Sequence, residues 1–107
     1  MRKYAFPIPS ANHKIQKVMI YETTKNGVYL YLYLTQKDLP SHNDFWFDDL
    51  QDAENFSKAS FHTDDSDWIM IDDPNEGCQD DLIRPIRRHK DNSYELLEDG
   101  VWKKIEL

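Results

Sequence analysis

The sequence predicts an α+β fold, an antiparallel sheet of about five to six strands with one main helix packed on one face. Three observations carry that reading. Asn26-Gly27 and Asp99-Gly100 each lie between β-rich runs, as tight hairpin turns do; residues 48–60 hold apolar side chains at helical spacing; Phe45-Trp46-Phe47 and Trp68-Ile69-Met70-Ile71 are apolar runs of strand length. With 107 residues, 39% apolar and 13% aromatic, the chain can bury one core, so a single domain over residues 1–107 is expected.

Residues 1–14 open the chain as an arm. Pro7 and Pro9 exclude a helix there and favour an extended segment or a sheet edge, expected to be partly mobile. Residues 15–24 and 28–35 then form the first hairpin. If Asn26-Gly27 is a two-residue turn, Thr24 faces Tyr29, Glu22 faces Tyr31 and Ile20 faces Tyr33. Leu30, Leu32 and Leu34 then share a face with Met19 and Tyr21, while Tyr29, Tyr31 and Tyr33 share the other with Val18 and Ile20. A half-solvated sheet alternates apolar with charged residues, whereas this strand alternates leucine with tyrosine. The leucine face is expected to take the helix. The tyrosine face needs a cover too, from the arm or a second layer, or else forms a ligand groove or dimer interface.

Phe45-Trp46-Phe47 reads as a short strand leading into the helix. Asp48 can cap the helix N-terminus, with Gln51 three residues on, and Asp49, Asp52 and Glu54 suit the positive end of the dipole. Leu50, Ala53 and Phe56, continued by Ala59 and Ser60, give one apolar stripe. Trp68-Ile69-Met70-Ile71 reads as an interior strand. After it comes the chemically crowded loop Asp72-Asp73-Pro74-Asn75-Glu76-Gly77-Cys78-Gln79-Asp80-Asp81, which runs into Leu82-Ile83-Arg84-Pro85. The closing hairpin turns at Asp99-Gly100, so that Leu97 faces Trp102 and Glu95 faces Lys104.

The net charge of −7 is unevenly spread: residues 1–37 carry about +5, residues 38–82 about −13 and residues 83–107 about +1. The acidic middle either solvates loops and helix faces, partly neutralised by the N-terminal third, or presents a surface to a basic partner. It disfavours nucleic acid, whose nonspecific binding needs a net positive face. No apolar run approaches the roughly 20 residues that cross a bilayer, so neither a membrane span nor a signal peptide is expected. The lone cysteine, Cys78, excludes an internal disulfide, and a cytoplasmic location is expected.

Trp68-Ile69-Met70-Ile71-Asp72-Asp73-Pro74, Gly77-Cys78-Gln79-Asp80-Asp81, Ile83-Arg84-Pro85 and the closing Leu97-Glu98-Asp99-Gly100-Val101-Trp102 together resemble a family of small uncharacterised bacterial proteins. The resemblance takes in Phe45-Trp46-Phe47 and the Asp-rich start of the helix, roughly the C-terminal two-thirds of the chain. It implies a bacterial cytosolic protein. No activity is established for such proteins, so no catalytic or binding residue carries over.

The candidate sites rest on chemistry. An EF-hand calcium loop with Gly77 at its sixth position would place Pro74 at the third and Ile83 at the twelfth, neither of them a side-chain oxygen ligand. His13, His42, His62, His89 and Cys78 show no paired zinc spacing, and no cofactor is implied. Glu76, Asp80 and Asp81 would repel a thiolate at Cys78, which favours a packed structural thiol over a nucleophile. Arg84, Arg87, Arg88, His89 and Lys90 form one basic patch, expected to pair with the acidic loop through an Asp81–Arg84 type of contact or to recognise an anion.

Candidate binding residues are therefore Tyr29, Tyr31 and Tyr33 on the sheet, and Asp72, Asp73, Cys78, Asp80, Asp81 and Arg84 in the loop. The leading expectation is a non-catalytic protein- or ligand-binding module, in one version an inhibitor or immunity protein, that meets a basic protein surface or a second copy of itself. The alternative is a small enzyme or metal-dependent domain centred on residues 72–81.

Overall fold

The computed structural model describes residues 1–107. Its strands are β1 (Arg2–Ala5), β2 (Lys17–Glu22), β3 (Val28–Tyr33), β4 (Asn43–Phe47), β5 (Ile69–Ile71), β6 (Ile86–Arg88), β7 (Tyr94–Glu98) and β8 (Val101–Ile105). The helix α1 (Leu50–Phe61) follows β4, and a 3₁₀ turn (Asp65–Asp67) precedes β5. Five strands make the main sheet in the order β4-β3-β2-β1-β5, all antiparallel, with α1 across one face. The last three strands form a separate antiparallel sheet, β6-β7-β8. This is the expected α+β architecture, with the closing hairpin in a sheet of its own.

The helix begins one residue later than expected. Asp49 is the cap, its carboxylate accepting the Asp52 N–H at 2.9 Å, and His62 ends the helix in a left-handed conformation with its N–H on the Lys58 carbonyl at 3.0 Å. Ala53, Ser57 and Phe61, spaced four apart, are the residues it buries, while Ala59 is exposed. Against them pack Ala5, Val18, Ile20, Val28, Leu30 and Leu32, with Phe47, Leu50, Phe56 and Trp68 at the margin. This face is held by apolar burial, which needs shape but no particular hydrogen-bond geometry.

The first hairpin departs from the two-residue turn. Glu22 pairs with Val28, Tyr21 with Tyr29, Ile20 with Leu30 and Met19 with Tyr31, so each partner lies three positions from the one expected. The loop is Thr24-Lys25-Asn26, closed by the Thr23 N–H on the Gly27 carbonyl at 3.0 Å. The Thr23 hydroxyl oxygen accepts the Asn26 N–H at 2.8 Å and donates to the Gly27 carbonyl at 2.7 Å. A type I′ turn would need left-handed backbone at both central residues; Gly27 supplies it with φ 77°, but Asn26 is not among the residues with positive φ. Since the shift is odd, every β2 side chain changes faces. Val18 and Ile20 therefore join the leucines under the helix, and Met19 and Tyr21 join the tyrosines. At Asp99-Gly100 both residues are left-handed, φ 53° and 77°, and the expected Leu97–Trp102 and Glu95–Lys104 pairs form.

Two strands exchange the positions expected for them. Residues 2–5 of the N-terminal arm are an interior strand between β2 and β5, with Ala5 buried under the helix and Lys3 paired to Glu54 at 2.6 Å. Pro7 limits that strand's length, not its place. β5, expected inside, is an edge with Ile69 and Met70 exposed. It spans three residues between Asp67 and Asp72, and short length and flanking charge are what an edge strand tolerates.

Candidate binding surface

Cross-strand partners share a face, so the registers define rows on the side opposite α1. One row runs Trp46, Tyr29, Tyr21, Arg2, Ile71; the next runs Asp44, Tyr31, Met19, Tyr4, Ile69; the third holds Tyr33 and Lys17. Residues 72–85, which contain neither helix nor strand, cover part of this face. Tyr33 is fully buried beneath them and Tyr31 nearly so, with Ile83 packed against the cluster they form with Met19.

An irregular cover cannot pair its own backbone groups, so side chains do it. Arg2, only 3% exposed, donates Nε to the Asp72 carbonyl at 2.8 Å and Nη1 to those of Asp80 at 3.0 Å and Leu82 at 2.6 Å. The Tyr33 hydroxyl donates to the Asp81 carbonyl. Asp38 accepts the N–H groups of Ile83 at 2.7 Å and Arg84 at 2.9 Å, and the Arg84 Nε at 2.9 Å. The Asp81 carboxylate accepts both the N–H and the hydroxyl of Ser41 at 2.9 Å. The expected Asp81–Arg84 contact is thus replaced: each residue meets the β3–β4 connection, which the fold brings against the cover. Lys17, also fully buried, lies 4.1 Å over the Tyr33 ring and donates to the Lys37 carbonyl at 2.8 Å.

Burial sets the ionisation of this layer. It lowers the Lys17 pKa, opposed by Asp38 and Asp81. It raises the Tyr31 and Tyr33 hydroxyls well above the usual tyrosine range, with Asp80 and Asp81 adding at Tyr31 and Asp81 at Tyr33. Tyr21 is raised by burial and then by Asp80 and Asp73, and Asp44 acts on Tyr31. Carboxylates therefore surround the aromatic rows.

The Cys78 loop does line a cavity. Asp72, Asp73, Cys78 and Arg84 meet Arg2 and Gln79 around about 150 Å³, smaller than the roughly 300 Å³ at which small-molecule pockets begin. Burial raises the Cys78 thiol pKa, opposed by Arg87 and Arg2, so the cause is not the acidic neighbours that the sequence suggests. Asp80 and Asp81 are not among the residues that line the cavity: the Asp80 carbonyl accepts from Arg2, and the Asp81 carboxylate accepts from Ser41. No three His, Cys, Asp or Glu side chains form a group able to hold a metal ion. The basic patch turns to its own sheet: Arg87 pairs with Glu95 at 2.8 Å and lies 3.9 Å over Trp102, and His89 meets the same carboxylate.

What stays open is the outer end of the first row. Trp46 is 54% exposed, Tyr29 and Tyr21 are half-buried, and the Tyr29 ring stacks parallel to Tyr31 at 6.0 Å. Trp46 is absent from the sequence-based candidates, although alternation along Phe45-Trp46-Phe47 separates it from the two phenylalanines that meet Phe56. No protein-family model, no curated protein and no solved structure matches the chain.

Proposed function

We propose that the protein is a non-catalytic binding module whose open aromatic strip docks a protein partner with a basic surface. The row Trp46, Tyr29, Tyr21, with Asp44 and Asp80 close enough to act on Tyr21 or Tyr31, is the observation that supports this reading. Exposed tryptophan and tyrosine supply contact area at small entropic cost, and interface hot spots are enriched in both. The carboxylates, in a chain of net charge −7, steer a basic partner and reject acidic ones. An inhibitor of the immunity type is one form of this chemistry, a firm acidic face laid over a basic site. An enzyme centred on residues 72–81 has less support, because burial raises the thiol pKa, away from reactivity.

Affinity capture on the immobilised chain from the cells that express it tests the reading. A partner should be retained at about 0.05 M salt and released at about 0.5 M. The double variant Asp44→Asn, Asp80→Asn should not retain it. Recovery of nothing, or of a partner indifferent to both salt and the variant, overturns the proposal.

A further inference from the structure

We propose that Trp46 is the seat of an arginine side chain from that partner, held between the indole face and the Asp44 carboxylate. The inference rests on the reading above that the partner is basic. The chain has three tryptophans, and two already carry a cation of their own: Lys3 lies 4.9 Å from the Trp68 ring centroid and Arg87 3.9 Å from that of Trp102. Trp46 carries none, and it is the most exposed of the three.

The Trp46 ring is held ready. Its indole N–H donates to the Asn26 carbonyl at 2.6 Å, and the ring lies so close to Gly27 that a Cβ there would come within 2.6 Å of it. With the polar atom satisfied and the ring fixed, the open part of the side chain is π surface, which attracts cations. Asp44 stands two residues away on the same face of β4; it is exposed and takes part in no ion pair within the chain.

The second sheet shows the completed form of this arrangement. There Arg87 stacks on Trp102 while donating Nε to Glu95 at 2.9 Å, with Nη2 in an ion pair with the same carboxylate at 2.8 Å. Glu95 and Trp102 share a sheet face, as Asp44 and Trp46 do. The edge of the main sheet also sets a tryptophan and a carboxylate on one face, here two residues apart on one strand and not on neighbouring strands, and no arginine lies with them. Arginine fits better than lysine because its planar, weakly hydrated guanidinium stacks on a ring and hydrogen-bonds a carboxylate at once.

The test uses the full chain labelled with 5-fluorotryptophan, its three ¹⁹F resonances assigned with Trp46→Phe, and two blocked peptides, Gly-Arg-Arg-Gly and its citrulline counterpart, which keeps the shape and loses the charge. The arginine peptide should shift the Trp46 resonance saturably and leave those of Trp68 and Trp102 in place. The citrulline peptide should bind at least about fivefold more weakly. Asp44→Asn should weaken the arginine peptide about threefold. Equal response to both peptides, or no movement of the Trp46 resonance up to about 10 mM, overturns the inference. If that happens while the carboxylate variants still lose the captured partner, the arginine seat fails and the binding-module reading survives.

Discussion

The two faces of the main sheet are covered by different means. Under α1 the sheet offers Val18, Ile20, Val28, Leu30 and Leu32, with Lys3 paired to Glu54 of the helix, and no partner is needed for the cover's backbone, because a helix pairs its own. Opposite α1 the cover is an irregular segment whose backbone groups need partners from outside it: Arg2 and Tyr33 of the sheet donate to its carbonyls, and Asp38 of the β3–β4 connection accepts its N–H groups. The leucine and tyrosine alternation of β3 follows from this difference. Each face has the chemistry its cover lacks.

Substitutions on opposite faces should separate the two modes, and the largest effects come first. Arg2→Met leaves three backbone carbonyls without this donor and should cost at least about 3 kcal/mol in urea unfolding, at about 1–3 kcal/mol for each unsatisfied acceptor. Leu30→Ala under the helix should cost about 2–5 kcal/mol. Amide hydrogen exchange tells them apart: Arg2→Met should raise exchange in residues 72–85 well beyond that in α1, and uniform acceleration would show the faces to be one cooperative unit. Gly27→Ala should cost roughly 2–3 kcal/mol, from a left-handed φ of 77° plus contact with the Trp46 ring. Tyr33→Phe should cost about 1–3 kcal/mol, the loss of a buried carbonyl's partner. Gly100→Ala shares the φ of 77° but meets open space, so about 1 kcal/mol is expected.

The tyrosine face also makes stability depend on alkali. Tyr31 and Tyr33 hold their protons more tightly folded than unfolded, so their contribution is complete below the unfolded value of 10.0 and is lost as pH rises above it. Lys17, whose pKa is lowered, contributes in the opposite sense at high pH, against two tyrosines. Ultraviolet titration should show Tyr31 and Tyr33 ionising together with unfolding above about pH 10, and the Tyr31→Phe, Tyr33→Phe variant should lose that step. Smooth ionisation in the folded chain would refute the assignment.

Much of the fold is legible in the sequence wherever one local rule decides. Asp99-Gly100 gives the right register because both residues take the left-handed backbone that its turn requires. Asn26-Gly27 misleads because a neighbour outside the dipeptide, Thr23, closes a longer loop through its hydroxyl, and one odd shift reverses a whole strand. The candidate surface is legible only in part. Tyr29 and the acidic middle segment stand out, but Trp46 joins them only when the register of β3 and β4 is known. Arg2 and Asp38 act on backbone atoms 45 to 80 residues away, and a carbonyl carries no mark of its residue type.

The Arg2 clasp also fixes an order of events. β1 is synthesised first, yet its neighbours in the sheet are β2 and β5, and its guanidinium waits for carbonyls up to 80 residues later. Closure of that face is a long-range step of the kind that slows folding, while β1, β2, β3 and β4 each pair with the next strand along the chain. In pulsed hydrogen exchange, protection should therefore appear in β1, β2, β3 and β4 before it appears in β5 and residues 72–85. Until the clasp shuts, the sheet has its helix side built and its binding side still unmade.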